Sequence, residues 1–143
     1  MKDSAAFFDT NVLIYAFATN DPRAAIAEHL LSTGGVVGVQ TLNEFTAVAT
    51  GKLAMPWEDV LEALEAIRVL CPSPVPLTVQ VHQAGLQIAG RFGYHIYDSL
   101  VIAAALQARC STLFSEDLQD GQTIDGLAIR NPFSKIKPAR RRR

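Results

Sequence analysis

The 143-residue sequence predicts an α/β domain with a mainly parallel central sheet. Three observations predict it. Short apolar runs of strand length recur along the chain, and segments with helical apolar spacing separate them, which is the pattern of parallel strands joined by helices. Acids follow the first and third of these runs directly, at Asp9 and at Glu116-Asp117. In such sheets ligands bind outside the carboxyl ends of the strands.

Ala5, Ala6, Phe7 and Phe8 form a continuous apolar run closed by Asp9, as in a buried strand. Residues 12–18 follow as a short helix. Asp21 then caps a helix with Pro22 at its first position, and Gly34-Gly35 stops it. Residues 36–39, Val-Val-Gly-Val, predict the second strand. Thr41 opens a helix that ends near Gly51, and Pro56 opens another. In the latter, Trp57, Val60, Leu61, Leu64, Ile67 and Cys71 fall on one stripe at helical spacing. The proline-rich run 71–77 is extended, with a short edge strand expected near Val75. Thr78 caps a helix whose apolar face holds Val81, Ala84, Gly85, Ile88, Ala89 and Phe92, and Gly93 ends it. Asp98 opens the most apolar helix, with almost no polar face from Leu100 to Leu106, so it is expected to be buried or packed on a partner. Residues 112–114 and 127–129 are the remaining strands.

Charge divides the chain. It has 13 bases and 14 acids, but six bases lie in residues 135–143. The other seven face all 14 acids, so residues 1–134 carry −7 and the tail +6. Residues 1–134 are therefore read as the domain and 135–143 as a basic tail. An acidic body excludes nucleic-acid binding through a broad cationic face. The 49% apolar content excludes a disordered chain. No apolar run reaches about 18 residues, so no membrane span is expected. Asp3, Ser4 and Asp9 interrupt the stretch that a signal peptide would need, which points to a cytoplasmic protein. Cys71 and Cys110 lack zinc-site spacing and read as reduced, packed thiols.

Four acids share a placement at strand ends or helix starts: Asp9, Glu44, Asp98 and Asp117. If they converge, their mutual repulsion calls for a cation, and hard oxygen ligands suit Mg²⁺ or Mn²⁺. Each also has a plainer reading. Asp9 suits a turn, Glu44 a Thr-x-x-Glu capping box with Thr41, Asp98 an N-cap, and Glu116-Asp117 a solvated turn. His95 reads as a packing or supporting histidine in a connection, and His29 and His82 as solvated. No phosphate loop and no serine or cysteine triad is visible.

Four segments resemble the PIN-domain ribonucleases, in order and across about residues 5–133. FFDTNVLIYAF resembles their first strand and DTN motif, and QTLNEF their glutamate helix. YDSLVIAAAL resembles the helix that begins with their third acid. LFSEDLQDGQTIDGLAIRNPF resembles their closing strand, acidic turn and final strand. The closest branch resembles the toxins of bacterial toxin–antitoxin pairs. The resemblance implies a three-layer α/β/α domain and a Mg²⁺- or Mn²⁺-dependent endoribonuclease with Asp9, Glu44, Asp98 and Asp117 as its acids. It implies that Asn11 and Ser115 orient carboxylates or a metal-bound water. It also implies an RNA substrate cut to leave 5′-phosphate and 3′-hydroxyl ends, a homodimer, and a small antitoxin whose tail covers the site. Glu116 departs from the family pattern, which often has a neutral residue between Ser115 and Asp117. It is read either as a peripheral metal ligand or as solvated, and Asp120 stays uncommitted.

Two other functions compete with this one. A catalytically silent RNA- or protein-binding module would be expected to lose one of the acids, and all four are present. A phosphatase or receiver domain using Asp9 needs a second acid where Asn11 stands and a lysine near the site, and Lys2, Lys52, Lys135 and Lys137 look badly placed for that. The basic tail reads as a solvated end, an RNA-docking segment, or a segment that meets another acidic surface.

Overall fold

A computed structural model describes residues 5–136. The residues read against a signal peptide before Ala5, and most of the basic tail from Lys137 on, lie outside the described residues.

The first strand, β1, is Ala6–Phe8, followed by helices α1 (Thr10–Ala16), α2 (Arg23–Ser32), α3 (Val39–Thr50), α4 (Trp57–Leu70), α5 (Val79–Phe92) and α6 (Ile96–Gln107). Strands β2 (Thr112–Phe114), β3 (Thr123–Ile124) and β4 (Leu127–Arg130) complete the order. The sheet runs β1-β2-β4-β3, with β1, β2 and β4 parallel and the short β3 antiparallel to β4. Phe7 pairs with Leu113, and Leu113 with Ile129, so the centre of the sheet is apolar throughout.

Side chains alternate across a strand, and this alternation builds two cores. Phe7, Leu113, Leu127 and Ile129 face one way and pack with α5 and α6. Phe8 faces the other way, into a core with Val12, Leu13, Phe45, Val60 and Ile67 from α1, α3 and α4. Helices on both faces of one sheet make the three-layer α/β/α domain expected above. Helix α6 is buried from Ser99 to Ala105, which accounts for its missing polar face. Its close fit to α5 requires Gly85: a Cβ there would stand 2.7 Å from Leu100 Cδ2.

Several expected elements differ. Residues 36–39 do not form a strand. Val36 makes a single parallel bridge to Phe7 and Gly38 one to Val75. Gly38 instead becomes the N-cap of α3: its N–H donates to Thr41 Oγ1 at 3.1 Å and its carbonyl accepts from Leu42 N at 3.1 Å. The helix thereby takes Val39. The edge strand near Val75 is likewise one bridge, because the flanking prolines donate no ladder hydrogen bonds. In α4 the buried face is Val60, Ala63 and Ile67, whereas Trp57 and Leu61 are about half exposed, at 55% and 48%. Pro22 is the N-cap of α2 rather than its first helical residue, and Asp21, one residue earlier, still accepts from Arg23 N at 2.9 Å. Cys71 and Cys110 are free and buried, as expected, and burial pushes both thiols up to about 11. No helix among the described residues is long and apolar enough to cross a membrane.

Candidate active site

The carboxyl ends of β1 and β2 are stitched together by backbone bonds. Asp9 N donates to the Phe114 carbonyl at 3.0 Å, and Ser115 N to the Arg130 carbonyl at 3.0 Å. These bonds continue the ladder just past the strands. They set the two motif residues, Asp9 and Ser115, side by side. Ser115 Oγ donates to Asp9 Oδ2 at 2.7 Å, and both residues are buried.

Asp9 is also the N-cap of α1, its Oδ1 accepting from Thr10 N at 2.7 Å. Asn11, in the first turn of α1, reaches back across the same edge. Its Nδ2 donates to Asp117 Oδ2 at 3.2 Å and to Ser115 Oγ at 3.4 Å, and its Oδ1 accepts from Glu116 N at 3.1 Å. Asp117 N in turn donates to Ser115 Oγ at 3.1 Å. Asp9, Asn11, Ser115 and Asp117 thus form one hydrogen-bonded group built from two strand ends.

Glu44 joins from α3. Thr10 Oγ1 donates to Glu44 Oε1 at 2.8 Å, and Gln40 Nε2 approaches Oε2 at 3.4 Å. The capping-box reading of Glu44 is overturned. Glu44 lies in the second turn of α3, and Thr41 serves the Gly38 amide instead. Asp98 is not an N-cap either. His95 takes that place, its Nδ1 accepting from Tyr97 N at 3.2 Å, and its ring stacks on Tyr97. Asp98 sits in the first turn of α6, where the helix dipole favours a carboxylate.

The electrostatics tie the four acids together. Burial raises Asp9 from the ordinary 3.8 to about 6. The Ser115 and Thr10 hydrogen bonds oppose the rise, and the charges of Asp117 and Glu44 add to it. Asp98 is also raised, first by burial and then by the same two charges, with His95 pulling the other way. Asp117 and Glu44 therefore act on both other acids. Among the described residues, however, no three acidic, histidine or cysteine side chains stand close enough to form a ready-made ion cage. No buried side-chain polar atom among them lacks a hydrogen-bond partner.

Glu116 is partly buried and held by neighbouring side chains. Its carboxylate accepts from the Tyr15 hydroxyl and from Arg23 Nη1, the latter at 2.9 Å. Asp120 accepts from Asn131 N at 2.9 Å and so holds the chain after β4. Lys52, which looked badly placed, lines a cleft of about 460 Å³ together with Thr10, Asn11, Tyr15, Arg23 and Asp117. Sequence reasoning missed Thr10, Tyr15 and Arg23. The hydroxyl inside the Asp-Thr-Asn motif was a usable signal for Thr10. Nothing local marked Arg23, whose partner Glu116 lies 93 residues away.

Acids held at the carboxyl edge of a parallel sheet define an α/β domain with its ligand site at that edge. Residues 6–119 match the family model of the PIN domain, and the chain belongs to the PIN-domain family. No curated protein matches the sequence. Among solved structures, the chain is similar to a toxin–antitoxin complex from Klebsiella pneumoniae, at 18% identity and TM-score 0.69, covering 90% of this chain and 98% of that one. It is similar to FitAcB from Neisseria gonorrhoeae at 19% identity and TM-score 0.65, with coverage of 90% and 98%. It is also similar to VapC20 of Mycobacterium tuberculosis, a toxin that cleaves the sarcin–ricin loop, at 16% identity and TM-score 0.60, with coverage of 79% and 92%. At these identities the likeness establishes a shared fold.

Proposed function

We propose that this chain is a Mg²⁺- or Mn²⁺-dependent endoribonuclease, the toxin of a toxin–antitoxin pair, acting in the cytoplasm as a homodimer. The observation that carries the reading is electrostatic. Burial is the main cause that raises Asp9 and Asp98, and the charges of Asp117 and Glu44 add to it, so a cation at this sheet edge would relieve the four carboxylates. PIN-family membership supports nuclease chemistry. The shared fold with a solved toxin–antitoxin complex and a solved toxin supports the toxin role and a small protein antitoxin as partner.

Asp9, Glu44, Asp98 and Asp117 would hold the ion, and an all-oxygen donor set fits Mg²⁺ or Mn²⁺. Such an ion, when bound, supplies counter-charge to the phosphodiester and acidifies its bound water. The protein's share is orientation. Ser115 and the Thr10 amide fix both oxygens of Asp9, Asn11 fixes Asp117, and the Thr10 hydroxyl fixes Glu44. The adjoining cleft gives a single RNA strand room beside the acids, with the Lys52 ammonium available to a phosphate. In-line hydrolysis at this edge would leave 5′-phosphate and 3′-hydroxyl ends.

The test is cleavage of end-labelled RNA by the purified protein in Mn²⁺, in EDTA, and with Asp9→Asn. Cleavage is expected only for the unaltered protein with Mn²⁺. Undiminished cleavage in EDTA, or by Asp9→Asn, would sink the reading.

A further inference from the structure

Glu116 stands between two residues of the acidic edge, yet its carboxylate is engaged by Tyr15 of α1 and Arg23 of α2. There three elements meet. Arg23 of α2 forks across two acids: Nε and Nη2 bond Asp21 Oδ1 and Oδ2, each at 3.0 Å, and Nη1 bonds Glu116 Oε2 at 2.9 Å. The guanidinium carbon lies 4.0 Å above the ring of Tyr15. The Tyr15 hydroxyl donates to the other Glu116 oxygen, and its ring is braced edge-on by Phe133 at 5.0 Å. The Glu116 side chain is 28% exposed and that of Arg23 34%, so solvent screens the pair only in part.

The backbone links this cluster to the site. Glu116 N donates to Asn11 Oδ1, and the other end of the same amide group holds Asp117. Whatever fixes the Glu116 side chain therefore fixes the turn that presents Asp117. We infer that Arg23 is a positioning residue of the acidic site: by pairing with Glu116 it keeps a fifth carboxylate neutralised beside Asp117, so that its charge does not displace the 115–117 turn. The inference rests on the ribonuclease reading for its effect on rate, although the geometry is independent of it.

A surface ion pair with no such role contributes little to stability and leaves turnover unchanged. Positioning predicts something different. Arg23→Ala leaves the Glu116 carboxylate without its counter-charge, and that charge displaces the turn, lowering kcat by about 10-fold or more with KM within about 3-fold, as for other residues that orient metal ligands. Arg23→Lys does not rescue, because an ammonium cannot fork between Asp21 and Glu116 while stacking on Tyr15. Arg23→Ala combined with Glu116→Gln recovers kcat to within about 3-fold of the unaltered protein, because the freed charge is gone and the glutamine carbonyl still accepts from Tyr15.

The experiment is this set of full-length variants assayed on RNA with Mn²⁺, with thermal melts confirming the fold. Amide NMR spectra of the metal-free proteins give a readout independent of activity. The Asn11 side-chain amide and the Asp117 backbone amide should shift in Arg23→Ala and return in the double variant. Unchanged kcat in Arg23→Ala, unshifted amides, or a double variant as slow as the single one would overturn the inference. If the unaltered protein does not cleave RNA, the ribonuclease reading falls, and the amide shifts alone decide the role of Arg23.

Discussion

Replacing Asp9 with asparagine should stabilise the metal-free domain at neutral pH. Asp9 is only 5% exposed, and its carboxyl is raised from 3.8 to about 6, mainly by burial. The folded state therefore holds this proton more tightly than the unfolded chain does. Its contribution to stability is fully present below about pH 3.8 and is lost as pH rises through about 6. At pH 7 the charged form costs the folded state about 3 kcal/mol, given 1.36 kcal/mol per pH unit. Asparagine carries no charge and keeps an oxygen for the Thr10 amide. It loses the carboxylate that accepts from Ser115 Oγ at 2.7 Å. Ser115 Oγ already accepts from Asn11 Nδ2 and Asp117 N, so its O–H loses its acceptor, at a cost of about 1 kcal/mol. The net is a gain of about 2 kcal/mol at pH 7, or about 6 °C in Tm for a domain of this size. At pH 4 the gain vanishes, leaving a loss of about 1 kcal/mol. Urea unfolding in EDTA at the two pH values measures both quantities. Destabilisation at pH 7, or an equal difference at both pH values, would refute the reasoning.

Other consequences are simpler. Gly85→Ala places a methyl 2.7 Å from Leu100 Cδ2 and should cost about 1–3 kcal/mol by forcing the Leu100 side chain from its packed rotamer; urea midpoints check it, and a neutral effect would show that Leu100 yields freely. Lys52→Glu should weaken RNA binding and flatten its salt dependence by about one charge, without moving the unfolding midpoint beyond about 0.5 kcal/mol. Binding isotherms at several salt concentrations would expose an RNA path that avoids the cleft, since affinity would then be unchanged. Millimolar Mg²⁺ should raise Tm for the unaltered protein by binding the folded state alone. A calorimetric scan with no shift would count against the cation site.

The parallel sheet and both helical layers were legible in the sequence, because they follow from local apolar pattern. The blank face of α6 announced its burial, and the strands flanking Asp9 and Ser115 lay where their apolar runs placed them. What was illegible depended on competition between neighbours. Residues 36–39 are as apolar as β1, but Gly38 and Thr41 close a helix cap that captures Val39. The motif Thr41-x-x-Glu44 looked like a cap box, but a distant hydroxyl on Thr10 takes Glu44. Asp98 looked like a cap until His95 filled that place. The hairpin β3–β4 was missed although Asp125-Gly126 signals it, with φ of 48° and 90° at the turn. Arg23 and Tyr15 could not be found at all, because their meeting with Glu116 exists only after the sheet has formed.

The central claim is that carboxylates from β1, α3, α6 and the turn after β2 act as one cation site. Calorimetric titration of Mn²⁺ into the metal-free protein, and into Asp98→Asn, tests it most directly, because Asp98 shares no hydrogen bond with the other three and meets them only through charge. The account predicts saturable binding to the unaltered protein, weakened about 10-fold or more in Asp98→Asn. Equal affinity in the two proteins, or no binding to either, would contradict it.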